Sequence, residues 1–271
     1  MPELPEVETT RRGIEPHIAN GIITDVIIRE HRLRWPIAKN LRDILFGQTI
    51  LTVQRRGKYL LLNTVKGGLI IHLGMSGNLR ILFNPPDNLK HDHIDIIFNH
   101  KICLRFNDPR RFGCVLWVEG EPLQHTLLKD LGPEPLTKQF TAQHLYGLSR
   151  AKKQAIKDFI MDSHVVVGVG NIYANEALFL AGIRPQISAG KVSLPRYEKL
   201  AKQIKFVLKR SITMGGTTLR DFVNSEGKPG YFKQVLNVYD RAGQPCRVCG
   251  SLLKLIKSFQ RQTVYCPECQ K

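Results

Sequence analysis

Short apolar runs of strand length dominate the first 120 residues: Ile22 to Ile28, Thr49 to Val53, Tyr59 to Leu62, Leu69 to Leu73, Ile94 to Phe98, Ile102 to Phe106 and Cys114 to Val118. An opening helical pattern precedes them, and Gly, Asn, Pro and Asp separate them over short connections. Such runs predict an antiparallel sandwich or barrel rather than βαβ units. The stretch LGPEPL, Leu131 to Leu136, then carries two prolines and a glycine, and the strand-like patterning stops. A domain boundary is expected there. From Thr141 onward the periodicity becomes helical. Between Arg196 and Arg210, Leu200, Ile204, Val207 and Leu208 share one helical face, while Arg196, Lys199, Lys202, Lys205, Lys209 and Arg210 decorate the rest. By itself that charge run is a solvated helix surface.

The chain has 271 residues, and at roughly 150 residues per domain two domains are expected. No apolar run approaches the roughly 18 residues of a membrane span, so a transmembrane helix is excluded. The start, MPELPEVETT, is acidic where a signal peptide is basic and then apolar, which predicts a cytoplasmic protein. Charge changes the picture more. Forty Lys and Arg against 23 Asp and Glu give +17 at neutral pH. The expected partner is polyanionic, and nucleic acid comes first, because each neutralised phosphate releases condensed counterions.

Cys246, Cys249, Cys266 and Cys269 form two C-x2-C pairs separated by sixteen residues. Each pair puts two thiolates on a tight turn, a spacing suited to one tetrahedral Zn2+. Among the residues between them, SLLKLIKSFQRQTVY alternates enough for two strands with a hairpin tip around Gln260, Arg261 and Gln262. A closed four-thiolate shell leaves no position for an activated water, so the zinc is expected to be structural. Cys103 and Cys114 sit singly in strand patterns and read as small buried hydrophobes. His91-Asp92-His93, on a polar turn, offers too few ligands for a metal. In Gly168-Val169-Gly170 the glycines allow close backbone approach, and the following helix offers N–H groups to phosphate. A dinucleotide-binding reading fails because Tyr173 stands where a third glycine belongs.

The N-terminus is a chemical group in its own right. A small second residue permits removal of Met1, leaving Pro2 with a secondary amine that can add to a sugar C1′ and form an iminium. Glu3 stands beside it as a proton donor or relay. On these residues alone the simpler reading, that Pro and Glu start a helix, is the better one.

Longer motifs change that balance. MPELPEVETTRRGIEPH, RRGKYLLL, HLGMSGNLR, KHDH, DPRRFG, GVGNIYANEALF, GGTTLRDF, GKPGYF and the cysteine ribbon occur in this order across essentially the whole chain. Together they closely resemble bacterial formamidopyrimidine-DNA glycosylases. The resemblance implies an α+β fold: an N-terminal antiparallel β-sandwich with an N-terminal helix (residues 2–130), a linker (131–136), a helical helix–two-turn–helix domain with a lesion loop (137–236) and a zinc finger (237–271). It implies Pro2 as the nucleophile, Glu3 as the adjacent acid, Lys58 as a proton donor in β-elimination and Arg261 as a phosphate ligand and donor in δ-elimination. Met75, Arg110 and Phe112 match the wedge that fills the gap left by an extruded base. His91, Arg110, Lys152 and Asn171 match DNA-contacting positions, and Asn224 to Tyr231 matches the loop over the extruded base.

The implied activity is that of a bifunctional glycosylase and AP lyase acting on oxidised purines in duplex DNA, with one structural Zn2+. The resemblance further implies a monomer, cytoplasmic and nucleoid-associated when bound to DNA containing oxidised bases or abasic sites. Leu4 favours this purine-lesion branch over the endonuclease VIII group, which typically has Gly there. A noncatalytic zinc-ribbon DNA-binding protein is the reading from another class, and an intact Pro2-Glu3 start argues against it.

Overall fold

A computed structural model describes residues 1–216, 232–258 and 260–271; the expected lesion loop, Asn224 to Tyr231, lies outside them. The chain divides into two compact units, Met1–Lys129 with Met214–Tyr231, and Asp130–Thr213 with Phe232–Lys271.

In the first unit, helix α1 (Leu4–Ile18) is followed by β1 (Ile23–Ile28), a short α2 (Leu41–Leu45), β2 (Thr52–Arg56), β3 (Tyr59–Asn63), β4 (Gly67–His72), β5 (Asn78–Phe83), β6 (Asp92–Phe98), β7 (Ile102–Asn107) and β8 (Cys114–Glu119). The strands form two antiparallel sheets, β1-β6-β7-β5 and β2-β3-β4-β8. The fold is therefore a sandwich, not a barrel. Leu60, Leu62, Leu69 and Ile71 from one sheet meet Ile94, Ile96, Leu104 and Phe106 from the other in one core. Helix α1 adds Val7, Ile14 and Ile18 to that core, residues spaced to fall on one helical face.

Three details depart from the pattern read along the chain. Strand β5 has no counterpart among the apolar runs, because Asn78 and Arg80 break its alternation and, among the described residues, it is an edge strand paired with β7 alone. Strand β2 runs from Thr52 to Arg56 rather than from Thr49 to Val53. Thr49 makes only an isolated bridge to Ile22, and the polar Gln54-Arg55-Arg56 completes the strand. Asp92 and His93 are not on a turn: they open β6 and are buried.

The second unit contains α3 (Ala142–Ser149), α4 (Ile156–Met161), α5 (Asn171–Ala181) and α6 (Leu194–Thr213), then the hairpin β9 (Lys254–Ser258) and β10 (Arg261–Tyr265). Thr141 caps α3, its Oγ1 accepting from His144 N at 3.1 Å. Gly182 ends α5 at φ 69°, the left-handed conformation that glycine adopts without strain. Helix α6 buries Leu200, Ile204, Val207 and Leu208 and turns its lysines outward, as an amphipathic helix should. Helix α5 is buried on nearly every side and even encloses Glu176. The Glu176 carboxylate accepts from the backbone amides of Asn237, Val238 and Tyr239 at 2.8–2.9 Å, pinning the strand of chain that leads into the ribbon. Among the described residues, no helix is long and apolar enough to cross a membrane.

Candidate functional site

In the first unit, Pro2 is buried and Met1 exposed. Glu3, 3% exposed, is the N-cap of α1 and forms a capping box with Glu6: Glu3 N donates to Glu6 Oε2 at 2.8 Å, and the Glu3 side chain accepts from the Glu6 amide. The bland reading of Glu3 as a helix starter is thus met, and Glu3 directly follows Pro2 in the chain. Gly216 packs against the same Glu6; a Cβ there would stand 3.2 Å from Glu6 Oε1, and its φ of +86° suits glycine alone.

Lys58 is half-buried in the two-residue loop joining β2 to β3, where Arg56 pairs with Tyr59. Gly57 takes φ 59° at the first loop position, as a type II′ turn requires. A chain of contacts ties this loop to α1. Arg55 donates to Gly57 O at 2.9 Å and to Glu8 at 3.0 Å, and Glu8 also binds Arg11 and Arg12. Burial works against the Glu8 carboxylate, yet the three guanidiniums prevail and bring its pKa down to about 2. His72, at the end of β4, lies close enough to Lys58 and Arg34 to feel their charge. Burial first, then those two cations, lower its pKa to about 4. Neutral at pH 7, its Nδ1 accepts from Gly74 N at 3.0 Å.

Met75 lies in the turn between β4 and β5, and Arg110 and Phe112 lie in the turn between β7 and β8. Met75 is 38% and Phe112 44% exposed, so neither is a core residue. The exposed Arg110 guanidinium sits over the Phe112 ring, 4.8 Å from its centroid. His91 immediately precedes β6, its ring 6.3 Å from that of His93. Cys103 and Cys114 are buried, and loss of solvent pushes their thiols up to about 12 and about 11. They are inert core residues.

In the second unit, Asn171 opens α5 behind Gly170 and the left-handed Gly168. Its amide nitrogen donates to Gln262 O of the hairpin at 3.1 Å. Lys157, 1% exposed on α4, reaches the same place: Nζ donates to Asn171 Oδ1 at 2.5 Å, Thr263 Oγ1 at 2.6 Å and Gln262 O at 3.2 Å. Helix and hairpin thus share one buried ammonium. Arg261 is exposed, but it opens β10 opposite Ser258, and Gln262 pairs with Lys257. The tip therefore comes before Arg261, earlier than the alternation suggested; Gln260, with φ 60°, belongs to it, and Phe259 lies outside the described residues. Lys152 is exposed on the turn between α3 and α4.

The ribbon's four sulfur atoms lie within 4.8 Å of one another, Cys246 to Cys269 at 3.9 Å and Cys249 to Cys266 at 3.4 Å. A tetrahedron with Zn–S bonds near 2.3 Å has S···S edges of about 3.8 Å, so the donor set fits one Zn2+. Val248 N and Cys269 N each donate to a cysteine sulfur at 3.4 Å, orienting the thiolates.

The positions singled out in the sequence thus divide between the two units: Pro2, Glu3, Lys58, Met75, His91, Arg110 and Phe112 in the first, and Lys152, Asn171, Arg261 and the cysteines in the second. Sequence reading passed over Lys157. Its one visible signal is a lysine amid the apolar residues Ile156, Phe159 and Ile160.

A β-sandwich opening on a buried Pro-Glu, with a helical unit whose helix α5, starting behind Gly170, is joined to a four-thiolate ribbon, is a distinctive class of fold. The sequence pattern of the formamidopyrimidine-DNA glycosylase N-terminal domain matches residues 1–115, that of its H2TH domain residues 131–223, and that of the zinc finger found in FPG and IleRS residues 243–271. The formamidopyrimidine-DNA glycosylases of Methylococcus capsulatus and Hahella chejuensis are 60% and 57% identical over 271 residues, covering all of both chains. A Lactococcus lactis FPG mutant, solved with DNA containing Fapy-dG, superposes with a TM-score of 0.92 at 32% identity over all of both chains. MutM (FPG) from Thermus thermophilus superposes at 0.88 with 34% identity, over 99% of this chain and 98% of that one. The chain belongs to the formamidopyrimidine-DNA glycosylase family.

Proposed function

We propose that this chain excises oxidised purines, 8-oxoguanine and formamidopyrimidines, from duplex DNA and then cleaves the resulting abasic strand. Once Met1 is removed, the lone pair of the Pro2 amine attacks C1′. The glycosidic bond breaks, and its electrons leave with the base as a proton reaches it. The sugar then opens to an iminium on the Pro2 nitrogen, with Glu3 relaying protons beside it. The iminium acidifies the C2′ proton; its loss expels the 3′ phosphate by β-elimination, with Lys58 as proton donor. A second elimination, aided by Arg261, expels the 5′ phosphate.

Extruding a base from the stack costs a few kcal/mol, which Met75, Arg110 and Phe112 offset by occupying the vacated space. His91, Arg110, Lys152 and Asn171 bind phosphates and set the register without reading sequence. The thiolate shell stiffens the hairpin that carries Arg261 and takes no part in bond breaking. The protein works as a monomer in the cytoplasm, on nucleoid DNA.

The observation that carries this reading is the buried Pro2, followed directly by the buried Glu3 that caps α1. Leu4, fully buried at the start of α1, favours the purine-lesion branch over an endonuclease VIII-like preference for pyrimidines. Single-turnover excision from duplexes containing either 8-oxoguanine or an oxidised pyrimidine tests it. Faster release of 8-oxoguanine is expected, and a preference for the pyrimidine would overturn the assignment.

A further inference from the structure

Two crossings of the sandwich run side by side. Strand β4 pairs with β8 and β5 with β7, so His72 stands opposite Cys114 and Asn78 opposite Asn107. The residues between these ends, 73–77 and 108–113, therefore cross between the same two sheets as neighbours. One crossing carries Met75 and the other Arg110 and Phe112. They touch at Gly74, whose φ is +63° and where a Cβ would stand 2.5 Å from Gly113 N and from the Phe112 carbonyl carbon.

Asp108, 0% exposed, joins them. Its Oδ1 accepts from Ser76 Oγ at 2.8 Å, across the gap, and from Arg110 N at 3.3 Å; its Oδ2 accepts from Gly113 N at 2.8 Å. Ser76 Oγ accepts in turn from Arg110 N at 3.3 Å. The backbone of Asp108 extends the web: its N–H donates to His91 O at 3.1 Å, and its carbonyl accepts from Arg111 N at 3.2 Å and from His93 Nε2 at 2.8 Å. Because a carbonyl can only accept, the His93 proton is on Nε2. All of the carboxylate's partners here are donors, which a carboxylate satisfies and an amide of the same shape cannot.

We infer that Asp108 is a positioning residue that locks the Met75 turn to the Arg110–Phe112 turn, so that the three side chains enter the base stack as one rigid probe. The inference rests on the wedge role proposed for those three. A probe that fills a space one base wide works only when its parts keep their spacing, and a displacement near 1 Å at such a site costs on the order of 100-fold in rate. Gly74 removes the room in which the turns could separate, and Asp108 supplies the bonds that hold them.

The test uses the zinc-loaded full chain with Met1 removed, measuring single-turnover rates on an 8-oxoguanine duplex and on a duplex with a preformed abasic site. Asp108→Asn should slow excision about tenfold or more while abasic cleavage changes less than about twofold, since misplacement is penalised where extrusion is needed. Ser76→Ala, which removes one hydroxyl, should shift the same ratio by about threefold, the loss of one of several hydrogen bonds. Asp108→Asn added to Phe112→Ala should slow excision no further than Phe112→Ala alone, because residues acting as one unit are not additive.

Equal losses on both substrates, or multiplicative losses in the double variant, would overturn the inference. If Asp108→Asn melts before assay, Ser76→Ala decides: a shifted ratio supports the lock and a wild-type ratio overturns it. Should Phe112→Ala itself slow both substrates equally, it is the wedge reading that fails. A selective Phe112→Ala with a non-selective Asp108→Asn and Ser76→Ala would remove the lock alone.

Discussion

In the first unit, Met75, Arg110 and Phe112 ride on turns whose four ends are set by strand register, with Asp108 buried between them. In the second, Asn171 and the hairpin carrying Arg261 meet through one direct hydrogen bond and one buried lysine, and the ribbon closes on four thiols. Sheet register is distributed over many backbone hydrogen bonds, whereas the second arrangement depends on a few long-range links and a metal. The strands of the sandwich should therefore keep their register when single side chains are changed, even where a turn such as that held by Asp108 shifts, and the helical unit should lose the hairpin's position when one link is cut.

Removing the metal is the most severe way to break this contrast. Apparent binding free energies of structural zinc are about 10–16 kcal/mol, so Cys249→Ser should lower zinc content and DNA affinity together while leaving amide protection in the sandwich strands unchanged. Metal analysis, a DNA titration at fixed salt and hydrogen exchange report the three quantities. Wild-type zinc and affinity would exclude the site.

Lys157→Met should cost about 3 kcal/mol, since three acceptors, the buried Thr263 Oγ1 among them, each lose a donor at about 1 kcal/mol apiece. DNA affinity should fall with it, because Asn171 and the hairpin lose their common anchor. Denaturant melts and a titration of the same sample check both; an affinity loss without a stability loss would make Lys157 a direct DNA ligand instead.

Glu8→Gln sharpens the comparison from the sandwich side, with an expected cost of about 2 kcal/mol at pH 7 for weakened charge-assisted bonds to Arg11, Arg12 and Arg55. The folded pKa of Glu8, about 2, lies below the ordinary 4.5. Its stabilisation is complete above pH 4.5 and disappears as pH falls through 2, so the gap between wild type and variant should close on acidification. Urea melts from pH 7 to pH 3 measure this, and a constant gap would refute the ion-pair account.

The smallest effect concerns His72. Its imidazole should titrate near 4 by NMR, with the Gly74 amide bond intact at pH 6. A midpoint near the ordinary 6.5 would mean that neither burial nor Lys58 governs it.

Much of this was legible along the chain because apolar spacing reports burial. The strand runs, the amphipathic α6 and the cysteine ribbon all follow that rule. What escaped are the buried charges. Asp108 and Lys157 look like surface residues in the sequence: nothing local marks a carboxylate bonded to a serine of a second turn, and only apolar neighbours hint at an ammonium enclosed by a distant hairpin. Strand β5 escaped for a related reason: an edge strand with polar residues at its start has little apolar alternation to display. The shifted hairpin tip shows the limit of alternation itself, which fixes strand faces better than strand ends.

The central claim is that the amine of Pro2 is the nucleophile. Two forms of the chain, one with an uncleaved residue ahead of Pro2 and one with Pro2 exposed, should be verified by mass spectrometry and treated with borohydride on an 8-oxoguanine duplex. A residue ahead of Pro2 makes its nitrogen a tertiary amide whose lone pair is delocalised. The exposed form should yield a reduced covalent protein–DNA adduct and the blocked form none, while both bind the duplex. Trapping of the blocked form at a comparable rate would contradict the account and direct the search to a lysine, Lys58 first.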